Sequence, residues 1–339
     1  MHIAVTGSIA TDHLTVFPGR FADQLIPGQL DHVSLSFLAD TLEVRRGGVA
    51  ANIAVGLARL GLRPLLVGAA GKDFDDYDAW LRKNGVDSRA VRISETLHTA
   101  RFMCTTDADH NQIATFYAGA MAEARHITIA SLDEHAGPPE LVVIAPNDPE
   151  AMLRHTAECR EIGLPFAADP SQQLARLDRK ETRSLVEGAE YLFTNEYEAA
   201  LLRERTGWTD SQVLARCGSW VTTRGADGVT VLSESGPELR VGAVPTAEAH
   251  DPTGVGDAFR AGFLAGVAWR LPPQNAVQLG CALATSVLES VGPQEYEIDP
   301  VVLLRRIDDA YGRSAASGVE PFLTDLRRRF PTEPGRVAE

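Results

Sequence analysis

Residues 141–169 read LVVIAPNDPEAMLRHTAECREIGLPFAAD. LVVIA (141–145) is a short apolar run suited to a buried strand. PEAMLRHTAECREIG is of helical length and closes at Gly163, whose missing Cβ suits a left-handed cap. PFAAD follows as a second strand. The same rhythm continues downstream: YLFTN (191–195) reads as a strand, then a helix runs to Gly207, then WVTT (220–223) returns as a strand. Upstream, HIAVT (2–6) is a strand ending in Gly7-Ser8. GVAANIAVGLARLG (48–61) is a helix, with Ala, Val and Leu at three- and four-residue spacing and Gly61 as its cap. Pro64 to Val67 is again a strand. Strands alternating with helices of this length predict βαβ units: an α/β fold in three layers, α/β/α, with a mostly parallel central sheet. In such sheets ligands bind beyond the C-terminal strand ends.

Two stretches break the rhythm. Residues 30–46 (LDHVSLSFLADTLEVRR) and 98–117 (HTARFMCTTDADHNQIATFY) alternate like strands, the second with a hairpin turn around 107–111. They predict a small β-sheet lid drawn from about 9–46 and 98–118. An uncovered small sheet is a liability, which makes the lid a dimerisation candidate. The expected domain covers residues 1–313. Residues 314–339 are expected to be a helix end and a frayed tail, ending in the proline-containing RRRFPTEPGRVAE.

Composition narrows the function classes. Of 339 residues, 44 % are hydrophobic and 23 % charged, which excludes disorder as the main state. The net charge of −14 argues against nucleic acid or anionic membrane as partner. A phosphate ligand would need a local device that works against this field. The opening MHIAVTGSIATDHL has neither a basic nor a long apolar region, and no apolar run reaches membrane length, so a cytoplasmic location is expected. Cys104, Cys159, Cys217 and Cys281 lie far apart without CxxC spacing, so reduced thiols are expected in place of disulfides or zinc.

Five constellations could carry chemistry. Asp251-Pro252-Thr253-Gly254-Val255-Gly256-Asp257 is a glycine loop feeding a helix. The unpaired N–H groups of such a terminus form an anion site, the local device an acidic chain requires. Asp257 in the first turn disfavours a bound anion unless it takes a proton from an attacking hydroxyl; otherwise it is a helix cap. Arg46-Gly47-Gly48 precedes the helix that carries Asn52, and allows backbone to approach a ligand. Asn195 and Glu198, spaced i, i+3 at a strand end, suit hydrated Mg²⁺ and equally suit a capping box. Thr223-Arg224-Gly225-Ala226-Asp227-Gly228 is a glycine turn that either closes a hairpin or offers hydroxyl and amides to phosphates. Gly7 to Asp12 lacks GxGxxG, which leaves Asp12 free to hold vicinal sugar hydroxyls or to form a turn.

In this order the five elements resemble the ribokinase-like PfkB family of carbohydrate and nucleoside kinases over roughly residues 1–312. GGVAANIA with Gly61 and Gly71, Asn195–Glu198 and DPTGVGDAFRAGF carry the likeness. Within the family, GSIATDH, SLSFL, TARFMCTTD and DPSQQLARL are most similar to the bacterial adenosine kinases. The resemblance implies transfer of the ATP γ-phosphate to the 5′-hydroxyl of adenosine, a purine-salvage reaction. Asp257 would be the base, with Gly254, Val255 and Gly256 as the anion hole. Asp12, Gly48 and Asn52 would hold the ribose, and Ser8, Ser36, Phe102, Phe116, Gln172 and Gln173 would frame the nucleoside. Asn195, Thr223, Gly225 and Gly228 would serve ATP. Asn195 and Glu198 would hold Mg²⁺ through water, and Asp251 with carbonyls near Ser286 and Gly292 would form a K⁺ site. A homodimer through the lid sheets is implied. Departures are Val255 where a small residue is usual, Pro252 where Thr or Ser is common, and Ala10 where sugar kinases often carry Asn. A ribokinase or fructokinase, or a kinase of guanosine or inosine, remains the alternative.

Overall fold

The computed structural model of the protein describes residues 1–339 apart from 27, 29, 33, 133–136, 235 and 330–339. Its strands are β1 (Ile3–Thr6), β2 (Ala10–Val16), β3 (Thr41–Gly47), β4 (Leu65–Ala70), β5 (Asp87–Ile93), β6 (Ala100–Thr106), β7 (Gln112–Tyr117), β8 (Leu141–Ile144), β9 (Phe166–Ala168), β10 (Ala189–Asn195), β11 (Cys217–Thr223), β12 (Val229–Ser233) and β13 (Leu239–Val241). Among the described residues, nine of them form one sheet in the order β13-β12-β11-β10-β9-β8-β1-β4-β5. From β5 to β11 every neighbour is parallel, and the β11–β12 and β12–β13 pairs are antiparallel.

Successive residues of the central strands point to opposite faces. Ile3, Val5, Leu66 and Val143 pack into one core, beneath the helices Val49–Arg59, Val255–Ala268 and Pro273–Leu288. Ala4, Leu65, Val67, Val142 and Ile144 pack into another, beneath the helices Pro149–Glu161 and Glu196–Thr206. Sheet and two helical layers thus give the three-layer α/β/α architecture expected. None of the described helices is long and apolar enough to cross a membrane.

β2, β3, β6 and β7 form the separate four-stranded sheet, in the order β3-β2-β6-β7. Its composition corrects the reading of residues 30–46. Among its described residues only Thr41–Gly47 pairs as a strand, and its antiparallel neighbour is β2, from the segment after Gly7. Before it, Leu30–His32 is a single 3-10 turn and residues 34–40 form no strand; there Phe37 packs on Phe17 and Phe21, with ring centroids 5.0 and 4.9 Å apart, so aromatic packing replaces a ladder. The 107–111 turn forms as expected: the Asp107 carboxylate accepts from the N–H groups of Asp109, Asn111 and Phe21 at 2.8–2.9 Å.

The C-terminal segment also departs from expectation. Arg313–Arg329 is one helix whose Ala315, Ala316, Val319, Leu323 and Leu326 enter the first core. Spacing of three and four residues places these on one face, so the segment belongs to the domain. The end of the expected tail, 330–339, lies outside the described residues.

One helix contact sets the geometry at the C-terminal edge of the sheet. The helices Val49–Arg59 and Val255–Ala268 cross where Gly56 meets Ala261; a Cβ on Gly56 would stand 2.5 Å from the Ala261 Cβ. Gly56→Val is therefore expected to force the helices apart and lower stability by about 1–3 kcal/mol in thermal denaturation. Gly242→Ala, where a Cβ meets nothing within 4 Å, is expected to leave stability unchanged.

Candidate active site

Both crossing helices start at the C-terminal edge of the sheet, and their N-termini converge. Gly48, with φ of 94°, turns the chain from β3 into the first helix; a Cβ there would lie 2.6 Å from the Ser8 carbonyl oxygen and the Ala10 nitrogen. Ser8 closes the turn, its Oγ accepting from Val49 N–H at 3.0 Å. Gly254, with φ of 76°, is the left-handed cap of the second helix, and a Cβ on it would strike Pro293 at 2.4 Å. Glycine is demanded at both starts; Val49 N–H is spent on Ser8, and Val255 N–H makes a long contact of 3.3 Å to the Pro252 carbonyl.

Asn52 and Asp257 each lie one turn N-terminal of the Gly56–Ala261 crossing, and they meet. The Asn52 amide donates to Asp257 Oδ2 at 2.8 Å. Asn52 Oδ1 accepts from Gln294 Nε2 at 2.6 Å, Gln294 Nε2 also donates to the Tyr77 hydroxyl at 2.7 Å, and Tyr77 donates to the Gly47 carbonyl at 2.8 Å. A buried chain of hydrogen bonds therefore fixes the Asn52 rotamer and aims its N–H at the carboxylate. Gln294 is fully buried.

Burial pushes the Asp257 carboxyl up to about 7, against the opposing pull of Arg260 and the Asn52 hydrogen bond; Asp169 and Glu198 add to the rise. Arg260 is itself buried, with Nη2 2.7 Å from Asp169 Oδ1 and Nε 2.6 Å from Oδ2. Its Nη1 donates to the Gly256 carbonyl at 3.0 Å. Burial pushes Asp169 up to about 6 despite the guanidinium. One cation is thus shared by two carboxylates, and Asp257 receives the smaller part. A carboxyl poised near neutrality is suited to general-base work.

The lid completes the enclosure. Asp12, Phe102 and Phe116 lie in cross-strand register, Asp12 opposite Phe102 and Phe102 opposite Phe116, so all three share one face. Burial pushes Asp12 up to about 6, countered by Arg45 and assisted by Asp251 and Glu295. This face closes a cavity of about 510 Å³. Ser8, Asp12, Gly48, Asn52, Phe102, Phe116, Gln172, Gln173, Gly254 and Asp257 line it, as the sequence led us to expect. Ser36 does not line it: it is exposed on the loop before β3, because its neighbour Phe37 takes the inward position.

Met121, Pro146, Arg176 and Thr253 also line the cavity and were not foreseen. The Arg176 side chain makes no hydrogen bond or ion pair among the described residues, an unspent donor beside the two glutamines. Gln173 spends its amide N–H on the Asn147 carbonyl at 2.7 Å. Gln294 and Arg260 were missed too; the Arg three residues after Asp257 was the available signal for the second, and none existed for the first.

The remaining predicted residues sit at the ends of β10 and β11. Asn195 and Glu198 form the capping box: Asn195 Oδ1 accepts from Glu198 N–H at 2.8 Å and Glu198 Oε2 from Asn195 N–H at 2.7 Å. Asn195 is thereby committed to the helix. Glu198 Oε1 carries only the Ser171 hydroxyl, at 3.1 Å, and its charge reaches Asp257 and Asp169. That carboxylate fits a hydrated divalent ion. Thr223, Gly225 and Gly228 close the β11–β12 hairpin, and Gly228 is required because a Cβ would lie 2.1 Å from the Val241 carbonyl oxygen.

Asp251 departs from the K⁺ expectation. Its Oδ2 accepts from Arg45 Nη1 at 2.7 Å and Gly292 N–H at 3.1 Å, and its Oδ1 from Thr253 N–H at 2.9 Å. Donors already occupy both oxygens and an arginine matches the charge, so this set does not fit a monovalent cation.

Known proteins are similar to this chain in sequence and fold. The pfkB family of carbohydrate kinases matches over residues 10–299. The nucleoside kinase of Methanothermobacter thermautotrophicus is 31 % identical over 271 residues, 78 % of this chain and 85 % of the relative. That of Methanocaldococcus jannaschii is 28 % identical over 250 residues, 73 % of this chain and 80 % of the relative. Among solved structures, the Burkholderia thailandensis nucleoside kinase in complex with inosine superposes with a TM-score of 0.80 at 32 % identity, over 92 % of this chain and 98 % of that one.

The raised carboxyl of Asp257 has a stability consequence. The folded chain keeps that proton up to about pH 7, whereas the unfolded chain releases it near 4. Between these limits the native state holds more protons, so this group's contribution falls as pH rises from about 4 to 7 and stays lost above. Asp257→Asn removes the loss. Thermal melts are expected to show the variant more stable than the parent at pH 8, by about 2–4 °C, with the gap closing toward pH 4.

Proposed function

Because this chain belongs to the PfkB family of carbohydrate kinases, it is a phosphotransferase acting on a hydroxyl group, and we propose that its acceptor is a nucleoside, phosphorylated by ATP on the 5′-hydroxyl. The observation that supports this most is the row Asp12–Phe102–Phe116 facing Asp257 across one cavity. Two aromatic rings suit a purine, which a free sugar lacks. A carboxylate beside them suits vicinal ribose hydroxyls. The nucleoside kinase names of the similar proteins agree with this reading.

In this reading the ring lies against Phe102 and Phe116, and the ribose against Asp12, Gly48 and Asn52. The 5′-oxygen then faces Asp257. That oxygen forms the new bond to the γ-phosphorus, the bond from phosphorus to the β-phosphate oxygen breaks, and the proton passes to Asp257. The amides of Gly254, Val255 and Gly256, at a positive helix end, meet the developing charge on the transferred group. ATP would extend toward Thr223, Gly225 and Gly228, and Mg²⁺ held by Glu198 through water would screen its phosphates. The lid would exclude water and so limit idle hydrolysis of ATP.

Adenosine is the acceptor that the sequence resemblance implies. Arg176, an unspent donor among the cavity residues, favours as second reading a base with a carbonyl, as in inosine or guanosine. The outer lid face, where Leu42 and Val44 are 65 % and 54 % exposed, supports a homodimer through the lids.

Three measurements test the proposal. With adenosine, inosine, guanosine, ribose and fructose offered alongside ATP, the nucleosides are expected to be phosphorylated and the free sugars not; turnover confined to a sugar would overturn it. Asp257→Asn is expected to lower kcat by about 10²–10⁴ while nucleoside affinity in calorimetry stays near that of the parent. Phe102→Ala is expected to raise KM for nucleoside while leaving kcat nearly intact, read from initial rates.

A further inference from the structure

Arg45 stands on lid strand β3, yet its guanidinium reaches the segment that opens the anion loop. We infer that Arg45 is the resident cation of that loop, doing at Asp251 what a bound monovalent cation would otherwise do, so that this kinase works without one. The inference rests on the proposed kinase activity.

The geometry is specific. Nη1 of Arg45 donates to Asp251 Oδ2 at 2.7 Å, while Nε and Nη2 donate to the two oxygens of Glu43 at 2.7 Å each. The Arg45 and Asp251 side chains are only 14 % and 15 % exposed, whereas that of Glu43 is 55 % exposed. Glu43 therefore orients the fork from the solvent side, where water screens its charge, and the less hydrated contact is the one to Asp251. A guanidinium presents donors in a fixed plane and stays protonated throughout the physiological range, so it is a permanent charge in a fixed place.

Asp251 in turn organises the loop. Its Oδ1 accepts from Thr253 N–H at 2.9 Å, inside the turn that delivers Gly254, and its Oδ2 accepts from Gly292 N–H at 3.1 Å. Pro293, next to Gly292, is the residue against which Gly254 packs. Neutralising Asp251 and holding these two segments together is the work a cation would perform, and each oxygen of this carboxylate already has a donor. Arg45 also lies opposite Asp12 in the β2–β3 register and holds that carboxyl down against its burial. A lid residue thus couples the ribose site to the anion loop. Arg45 is a positioning residue: it acts through Asp251.

The test needs turnover and one measurement independent of it. Thermal melts and initial rates of the full chain are compared in potassium, sodium and choline chloride at equal ionic strength. The parent is expected to show the same melting temperature and kcat in all three. Arg45→Met is expected to lose kcat about 10–100-fold with a smaller change in KM, to gain a potassium-dependent rise in melting temperature, and to recover rate with added potassium or guanidinium ion. Arg45→Lys, which keeps the charge, is expected to retain more rate than Arg45→Met and covers the case in which the methionine variant fails to fold. A parent whose melting temperature or rate rises in potassium over sodium and choline overturns the inference, as does an Arg45→Met variant with parental kcat. A parent that phosphorylates no nucleoside, yet melts identically in the three salts, overturns the kinase reading and leaves the Arg45 assignment supported.

Discussion

The site depends on how closely two helices cross. Gly56 lets the helix Val49–Arg59 settle against Ala261 of the helix Val255–Ala268, and one turn toward each N-terminus this places Asn52 against Asp257. Had either crossing residue carried a larger side chain, the amide and the carboxylate would not meet at hydrogen-bond distance. Packing of small residues, a property of the apolar core, thereby fixes a polar contact at the sheet edge. The second helix is clamped on its other side by the same device: a Cβ on Gly262 would stand 2.7 Å from the Gly280 Cα.

Electrostatics at that contact balance opposing effects. Burial drives the Asp257 carboxyl toward its neutral form, and Arg260 and Asn52 draw it back. Asp169 meets Arg260 directly, with Nη2 2.7 Å from Oδ1 and Nε 2.6 Å from Oδ2, so the guanidinium is only partly available to Asp257. If Asp169 were absent, Arg260 would hold Asp257 ionised at lower pH and make it a weaker base. The buried ion pair is thus better understood as a setting of basicity than as a source of stability, since such pairs contribute little net folding energy. The chain's net charge of −14 is no bar to a phosphate ligand, because a helix N-terminus at Gly254 and the Arg176 side chain line the cavity alongside the carboxyls of Asp12 and Asp257.

Much of this was legible in the sequence, and the limits follow from physical causes. Local patterns carried the fold: apolar runs, helical spacing and glycine caps at Gly61, Gly163 and Gly207 describe elements whose stability is largely local. Glycine loops marked both helix starts, since only glycine accepts the conformations at Gly48 and Gly254. Residues 30–40 misled because Phe37, which fits a strand's alternation, packs on Phe17 and Phe21 from another segment. Asn195 and Glu198 show how one spacing fits two readings: the capping box claims Asn195 Oδ1 and Glu198 Oε2, while Glu198 Oε1 accepts from the Ser171 hydroxyl. Contacts between distant segments left no trace. Gln294 lies 242 residues from Asn52, and Arg45 lies 206 from Asp251; no periodicity connects them, and only the folded chain brings them together.

The fold holds the Asp257 carboxyl poised near neutrality. Carbon-13 NMR of protein labelled at aspartate carboxyl groups tests it directly, by difference between the parent and Asp257→Asn. The expected result is a carboxyl resonance, absent from the variant, that titrates near pH 7. A resonance assigned to Asp257 that titrates near 4, as in an exposed aspartate, would contradict it.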